Sequence, residues 1–179
     1  GLIEGDFKDM GPRSVKNIIN RGGTLLKSAR SKEFRTAEGR RKAYDHLVKA
    51  GIDALVVIGG DGTFTGASVF MEEYDFPIVG IPGTIDNDIN GTDFTVGYDT
   101  ALNTVVEAID KIRDTANSHN RLFLIEVMGR DAGDIALNAG IGAGAEEILI
   151  PEQDLGRERL ITSLKRSKKS GKSSSIVVV

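Results

Sequence analysis

The sequence predicts an α/β fold with a largely parallel sheet, and three observations support this class. Short apolar runs rich in β-branched residues alternate with amphipathic stretches along the chain. The 22 glycines cluster after the apolar runs, where α/β proteins place their ligand-binding loops. The 179 residues are 40% hydrophobic and 27% charged, which is ordinary for a globular protein with a buried core.

Five elements are predicted in the first part of the chain. The first helix places Ala43 and Leu47 on one face and stops at Gly51. The first strand is a continuous apolar run, ALVVI, and we expect it to be buried. A second helix follows, then a strand that stops at Pro82, then a long helix with a buried stripe at three- and four-residue spacing. In order, these elements span residues 36–50, 54–58, 63–73, 78–81 and 99–116.

The second part of the chain continues the alternation. A strand precedes a helix rich in alanine and glycine, which suits close packing on a sheet, and a strand, a helix and a last strand follow. In order, these elements span residues 122–127, 131–142, 148–150, 157–170 and 175–179. The sequence starts at Gly1 rather than methionine and stops on an apolar strand at Val179. Because an uncovered apolar strand leaves a sticky edge, we expect the chain to be a fragment of a longer protein.

Composition excludes several classes of function. The net charge of −3 argues against non-specific binding of nucleic acid. The absence of cysteine rules out disulfides and thiolate metal sites. No apolar run reaches membrane-spanning length, and no signal-peptide pattern opens the sequence. We therefore expect a cytoplasmic protein without nucleic-acid or membrane partners.

The first motif is Gly59-Gly60-Asp61-Gly62-Thr63, between a predicted strand and a predicted helix. Glycines let a phosphate approach the backbone there, and the N–H groups at a helix start form an anion site. A carboxylate beside a phosphate site typically holds Mg²⁺, which makes Asp61 the candidate metal residue. The alternative is a tight turn capped by Asp61 and Thr63. NAD kinases and diacylglycerol kinases use a similar loop.

The second motif, Pro82-Gly83-Thr84-Ile85-Asp86-Asn87-Asp88, follows the next strand, at the end where open α/β sheets bind ligands. If Asp86 points inward, it can take a proton from a substrate hydroxyl, as phosphoryl transfer requires. The alternative is an Asx-type loop built from Asn87, Asp88 and Asn90. Two such motifs on successive strands together favour phosphoryl transfer.

The third motif, Met128-Gly129-Arg130-Asp131-Ala132-Gly133, follows a later strand. Gly129 would let the backbone approach a ligand, and Arg130 could neutralise charge on a transferred phosphoryl group. Taken alone, the motif would favour a surface ion pair between Arg130 and Asp131 or Asp134.

The three motifs, together with Asn20-Arg21-Gly22-Gly23-Thr24, Ser28-Ala29-Arg30 and Ser118-His119-Asn120-Arg121, resemble the bacterial-type phosphofructokinase family in order and spacing. The resemblance implies a Rossmann-like three-layer sandwich, with two α/β domains in the parent enzyme. Residues 1–97 would belong to the ATP-binding domain and residues 98–179 to the fructose 6-phosphate-binding domain. The implied reaction moves the γ-phosphoryl group of ATP to the 1-hydroxyl of fructose 6-phosphate. NAD kinases lack the segment from Pro82 to Asp88.

The resemblance also implies individual roles. Asp86 would be the general base, Thr84 and Arg130 would act on the transferred phosphoryl group, and Asp61 would serve Mg²⁺. The matching nucleotide-binding residues are Arg30, Ser31, Gly60, Asp61, Gly62 and Thr63. The matching substrate-binding residues are Thr84, Asp86, Arg121, Met128, Gly129 and Arg130. Ser31 departs from the family, because relatives often carry an aromatic residue there.

Two positions bear on the phosphoryl donor. Pyrophosphate-dependent relatives carry an acidic residue where Gly62 stands and a lysine where Gly83 stands. Both positions are glycine here, so the resemblance implies ATP as the donor. It further implies that Arg121 reaches the 6-phosphate in a neighbouring subunit of a homotetramer, although its position alone would favour a surface arginine.

The resemblance extends in part to a regulatory site for a nucleoside diphosphate or phosphoenolpyruvate. Arg113, Gly144, Glu146 and Lys172 match it, whereas Pro12, Asn17, Ser170 and Ser173 depart from it. The family's first glycine-rich phosphate loop would lie before Gly1, and a sugar-binding glutamate would lie after Val179. The alternative function is therefore a truncated unit that binds nucleotide without turnover.

Overall fold

The computed structural model describes residues 1–119, 121–153 and 156–179, and it confirms the α/β class. Helices and strands alternate strictly along these residues. The helices are α1 (Ala37–Lys49), α2 (Asp61–Tyr74), α3 (Tyr98–His119), α4 (Asp134–Gly142) and α5 (Arg157–Lys169), and the strands are β1 (Leu55–Gly59), β2 (Ile78–Pro82), β3 (Leu122–Ile125), β4 (Glu147–Ile148) and β5 (Ser175–Val178). Within the described residues, no helix is both long enough and apolar enough to span a bilayer.

One compact unit comprises Gly1–Val57 and Gly62–Gly80. Its α1 helix begins at Thr36, whose Oγ1 accepts a hydrogen bond from the Gly39 backbone N–H at 3.1 Å and so caps the helix. Its core is apolar and aromatic, and its buried members are Ile3, Ala43, Leu47, Phe70 and Phe76. Leu55 of β1 donates a backbone hydrogen bond to Pro77 O at 3.0 Å, at the start of β2.

The second compact unit comprises Ile58–Asp61 and Ile81–Val179. Its sheet has the order β3-β5-β4 with every pair parallel, in a register that sets Leu122 beside Ser175 and Ile125 beside Val178. Its core combines residues from α3, α4 and β5, namely Ile109, Ala136, Ile176 and Val178. A Cβ on Gly140 would lie 2.7 Å from Ile148 Cδ1, which confirms the close helix–sheet packing expected of the alanine- and glycine-rich helix.

The last strand, β5, is the central strand of its sheet, and its neighbours β3 and β4 leave Val177 and Val178 fully buried. One expectation about strand burial is wrong. The strand over 54–58 was expected to be buried, but Val56 is 63% exposed and Ile58 is 53% exposed. Successive side chains of a strand point to opposite faces, and the described residues leave the face that bears these two uncovered.

Several element boundaries also differ from expectation. Helix α2 begins at Asp61, so Asp61 and Gly62 lie in its first turn. Helix α4 begins only at Asp134, because the preceding residues form a turn in which Ala132 N donates to Gly129 O at 3.0 Å. Strand β4 ends at Ile148, beyond which Ile150 forms an isolated antiparallel bridge.

Candidate active site

The turns after β1 and β2 lie side by side at the carboxyl ends of these strands. Gly83 N donates to Gly59 O at 3.0 Å. A Cβ on Gly60 would lie 3.4 Å from Thr84 Cβ, and a Cβ on Gly83 would lie 2.7 Å from Ile58 Cγ2. The first two motifs therefore meet, as expected for neighbouring parallel strands.

The loop that carries Asp86 is closed by its own hydrogen bonds. Asp86 N donates to Thr84 Oγ1 at 3.2 Å, and Asp86 O accepts from Thr95 Oγ1 at 3.0 Å. Thr95 is only 5% exposed. These bonds use the backbone of Asp86, so they fix the position of the residue while its carboxylate keeps its acceptor atoms.

Asn87 builds the same loop through its side chain. Its Oδ1 accepts from Thr95 N at 3.1 Å, and its Nδ2 donates to Asp93 O at 3.2 Å. The Asx-type loop considered as an alternative therefore exists, and Asn87 forms it. Because Asn87 supplies the loop-forming contacts, the loop does not by itself account for a carboxylate at position 86.

The first turn of α2 carries Asp61, Gly62 and Thr63, all three exposed. The unpaired N–H groups of a helix's first turn form an anion site. Within the described residues, a Cβ on Gly62 would find no atom within 4 Å beyond its neighbours and its own helix backbone. Gly62 also lies outside the set of glycines with a left-handed backbone. The described residues therefore give no structural reason for glycine at this position.

Arg30 and Ser31 precede a short 3₁₀ turn, Glu33–Arg35, in the first compact unit. Ser31 Oγ accepts a hydrogen bond from Phe34 N at 3.2 Å, so this side chain stabilises the turn. The Arg30 side chain is exposed. The nucleotide-binding roles assigned to both residues stay predictions.

Arg130 lies in a strained turn. Its φ of 55° is in the left-handed region, which is uncommon for a residue other than glycine. Gly129, with φ 148°, could not be replaced without conflict, because a Cβ there would lie 2.3 Å from Ala132 O. Strained residues persist only where the surroundings hold them, and they concentrate at functional sites.

An open pocket of about 450 Å³ lies beside this turn, and Met128, Gly129 and Arg130 all line it. Its wall also includes Gly133, Ala136, Leu149, Ile150 and Pro151. Among the ion pairs of the described residues, none includes Arg130, so the surface pair with Asp131 or Asp134, considered as an alternative, is not formed there. The guanidinium is thus a cation at the edge of a pocket.

The four residues matched to a regulatory site form one cluster. Lys172 Nζ donates to Glu146 Oε1 at 3.0 Å, and Arg113 donates to Gly144 O at 2.9 Å and lies 4.0 Å from the same carboxylate oxygen. Glu146 Oε2 also accepts from Ile176 N at 2.7 Å. Burial opposes the charged form of Glu146, but these hydrogen bonds and cations outweigh it, so the pKa of Glu146 is lowered.

Arg121 lies away from these groups, at the opposite end of β3 from Met128. Its carbonyl accepts from Ser175 N at 3.2 Å, and its side chain is exposed. The four residues of β3 span about 13 Å, which separates Arg121 from the pocket at the other end of the strand. In the motif that precedes it, Asn120 lies outside the described residues.

Sequence reasoning missed several residues that hold the site. Thr95 closes the Asp86 loop, and Glu152 Oε1 accepts from Gly133 N at 2.7 Å beside the Arg130 turn. Tyr98 connects the loop of the second motif with the helix that follows the third motif. No periodicity in the sequence marks Tyr98, because its hydrogen-bond partners Asp134 and Asn138 lie far along the chain.

The whole chain is similar to known phosphofructokinases. The family model described as phosphofructokinase matches residues 1–179. The chain is 57% identical over 179 residues to the ATP-dependent 6-phosphofructokinase 2 of Bacteroides thetaiotaomicron and 59% identical over 179 residues to the ATP-dependent 6-phosphofructokinase of Bacillus subtilis. All of this chain is covered, against 55% and 56% of those proteins, so it spans about half the length of the curated relatives it matches. The solved phosphofructokinase of Saccharomyces cerevisiae superposes with a TM-score of 0.92 at 40% identity, over 99% of this chain and 28% of that one.

Proposed function

This chain belongs to the phosphofructokinase family, and we propose that the whole protein transfers the γ-phosphoryl group of ATP to the 1-hydroxyl of fructose 6-phosphate. The products are fructose 1,6-bisphosphate and ADP, as in glycolysis. The observation that carries the proposal is the closed loop that holds Asp86 by its backbone beside the glycine-rich turn at Gly60. The names of the relatives from Bacteroides thetaiotaomicron and Bacillus subtilis support the same activity.

Asp86 is the proposed general base. Its carboxylate takes the proton of the 1-hydroxyl as that oxygen forms a bond to the γ-phosphorus, and the bond from this phosphorus to the bridging oxygen of ADP breaks. Thr84 and Arg130 stabilise the negative charge on the transferred phosphoryl oxygens. Phosphoryl transfer depends mainly on positioning and electrostatics, which suits a base held by two backbone hydrogen bonds.

Asp61 is the residue proposed to hold Mg²⁺. Its exposed carboxylate lies in the first turn of α2, next to Gly60. One carboxylate suffices for this role, because Mg²⁺ needs only one or two protein carboxylates when substrate phosphates and water complete its shell. When bound, the ion would neutralise charge on the phosphates of the nucleotide.

The nucleotide is proposed to bind through the first turn of α2 and the segment at Arg30. Gly60, Gly62 and Thr63 provide backbone N–H groups and open space, and Arg30 and Ser31 contact the nucleotide as in the family. The open space at Gly62 favours ATP over pyrophosphate. In this scheme residues 1–97 form part of the ATP-binding domain and residues 98–179 part of the fructose 6-phosphate-binding domain.

The sugar phosphate is proposed to occupy the pocket at Met128, Gly129 and Arg130. Arg121 serves the 6-phosphate in a neighbouring subunit, which requires self-association as a homotetramer. An arginine suits this task because its planar fork donates two hydrogen bonds to a phosphate. We further propose a cytoplasmic location and allosteric control through the cluster of Arg113, Gly144, Glu146 and Lys172.

The test is a coupled assay of ADP release, with and without fructose 6-phosphate. Sugar-dependent ADP release by the whole protein is the expected result, and its absence would refute the proposed activity. The same assay on the 179-residue chain addresses a second candidate function, namely binding of nucleotide without turnover. The share of its relatives that this chain spans favours that alternative for the chain alone.

A further inference from the structure

The hydroxyl of Tyr98, the first residue of α3, takes part in a closed triangle of hydrogen bonds with Asn138 Nδ2 and the Asp134 carbonyl. The residue is 2% exposed, and its hydroxyl donates to the backbone carbonyl of Asp134 at 3.3 Å. Asn138 Nδ2 donates to the Tyr98 hydroxyl at 2.8 Å and to the same Asp134 carbonyl at 2.9 Å. The triangle joins the start of α3 to the first turns of α4.

On one side, this triangle is connected to the loop that carries Asp86. Tyr98 N donates to Thr95 O at 3.3 Å, and Thr95 Oγ1 donates to Asp86 O at 3.0 Å. Phe94, within the same loop, stacks on the Tyr98 ring with centroids 6.2 Å apart. The ring and backbone of Tyr98 are therefore fixed relative to Asp86.

On the other side, the triangle holds the helix that follows the Arg130 turn. Asp134 begins α4 and lies four residues after Arg130, with the turn closed by the hydrogen bond from Ala132 N to Gly129 O. Because Arg130 has a left-handed backbone, its conformation depends on how both ends of this turn are held. The Tyr98 hydroxyl and Asn138 hold the later end.

We propose that Tyr98 and Asn138 are positioning residues that set the Arg130 turn relative to the Asp86 loop. The inference rests on the proposed function, in which Asp86 removes the proton and Arg130 neutralises the phosphoryl group. A displacement of about 1 Å between reacting groups can cost about 10²-fold in rate. A single buried hydroxyl that connects the residue next to the Asp86 loop with the first turn of α4 is therefore expected to affect turnover more than stability.

The hydroxyl, rather than the ring, carries this role. Phenylalanine would fill the same space, so packing does not require the oxygen. Burial, followed by the negative charge of Asp134, raises the pKa of Tyr98 above its ordinary value. The hydroxyl therefore keeps the proton that it donates to the Asp134 carbonyl at neutral pH.

The test compares Tyr98→Phe with the wild type in the whole protein, by steady-state kinetics. We expect kcat to fall by about 3-fold to 10²-fold, with KM for ATP changed less. Tyr74→Phe, which deletes a tyrosine hydroxyl in the aromatic cluster of the other compact unit, is the matched control and should leave kcat unchanged. Asn138→Ala, at an exposed position, provides a second variant if Tyr98→Phe folds poorly, and its kcat should fall in the same direction.

A double-mutant cycle separates positioning from general destabilisation. If Tyr98 acts through Arg130, then Tyr98→Phe should change kcat by less than about 2-fold in an Arg130→Ala background. Two outcomes would overturn this inference and leave the proposed function standing. One is that the losses in kcat from Tyr98→Phe and Arg130→Ala are fully additive, and the other is that Tyr98→Phe and Asn138→Ala each keep kcat within about 2-fold of wild type. An inactive wild-type protein would overturn the proposed function and this inference with it.

Discussion

Replacing Gly62 with aspartate tests the donor preference most directly, because the fold tolerates a side chain at this position. A Cβ on Gly62 would find open space, and glycine in a helix is about 1 kcal/mol less favourable than alanine. Gly62→Ala should therefore raise the free energy of unfolding slightly. Damage to ATP use by Gly62→Asp would then reflect the ligand rather than misfolding.

The magnitude follows from the charge. A carboxylate about 4 Å from one negative charge of a phosphate costs about 1 kcal/mol in bulk water and about 4 kcal/mol near a protein surface. At about 1.4 kcal/mol for each factor of ten, Gly62→Asp should raise KM for ATP by roughly 5-fold to 10³-fold. The effect should weaken as salt is added, because ions screen exposed charges.

The assay is the coupled measurement of ADP release over a range of ATP concentrations. Gly62→Asn is the matched control, because it has nearly the same size as aspartate but no charge, and its effect should be clearly smaller. An unchanged KM and kcat for ATP in Gly62→Asp would refute the argument that this space belongs to the nucleotide phosphates. Equal damage by asparagine and aspartate would instead assign the effect to bulk.

Three further predictions concern other parts of the chain. Asp86→Ser should lower kcat of the whole protein by at least ~10²-fold with smaller changes in KM, and a near-normal kcat would remove Asp86 from the role of base. Hybrids of Arg121→Ser and Asp86→Ser subunits should regain activity above either parent if Arg121 serves a neighbouring site, whereas verified hybrids that stay inactive would leave it a surface arginine. Folding lowers the pKa of Glu146, so its ionised carboxylate stabilises the fold at pH values above the unfolded pKa of about 4.3. This stabilisation is lost as the pH falls through the lower pKa of the folded state. Thermal unfolding of Glu146→Gln should therefore depend less on pH below about 4.5 than that of wild type, and Glu107→Gln, which alters an exposed pair with Lys111, should change the curve less.

The placement of the motifs in the fold was predictable because each motif is local. Each follows a strand within a few residues, and parallel strand ends meet at one edge of a sheet, so the proximity of Gly60 to Thr84 follows from topology alone. The contacts that hold the site were not predictable in this way. Tyr98 and Asp134 are 36 positions apart, and Glu146 and Ile176 are 30 apart. Such pairs depend on the register of packed elements, which no periodicity in a single sequence specifies.

The start of α4 shows how a local pattern misled the prediction. Asp131 resembles the acidic first turn of a helix, yet the chain makes a closed turn from Gly129 to Ala132 before the helix begins at Asp134. The cause is the left-handed backbone of Gly129 and Arg130, which is incompatible with helical continuation. A pattern of residue types does not reveal that a non-glycine residue will take this conformation.

The structure distinguishes motif glycines that the fold requires from one that it does not, and the sequence alone does not make this distinction. Gly129 has a structural reason, since a Cβ there would lie 2.3 Å from a carbonyl oxygen and its φ is 148°. Gly62 has neither a left-handed backbone nor a close neighbour among the described residues, and it weakens the helix in which it lies. A residue that costs stability and serves no contact within the described residues is best explained by a ligand that needs the space. Gly62 is therefore the glycine whose replacement by aspartate should weaken the use of ATP and leave the fold intact.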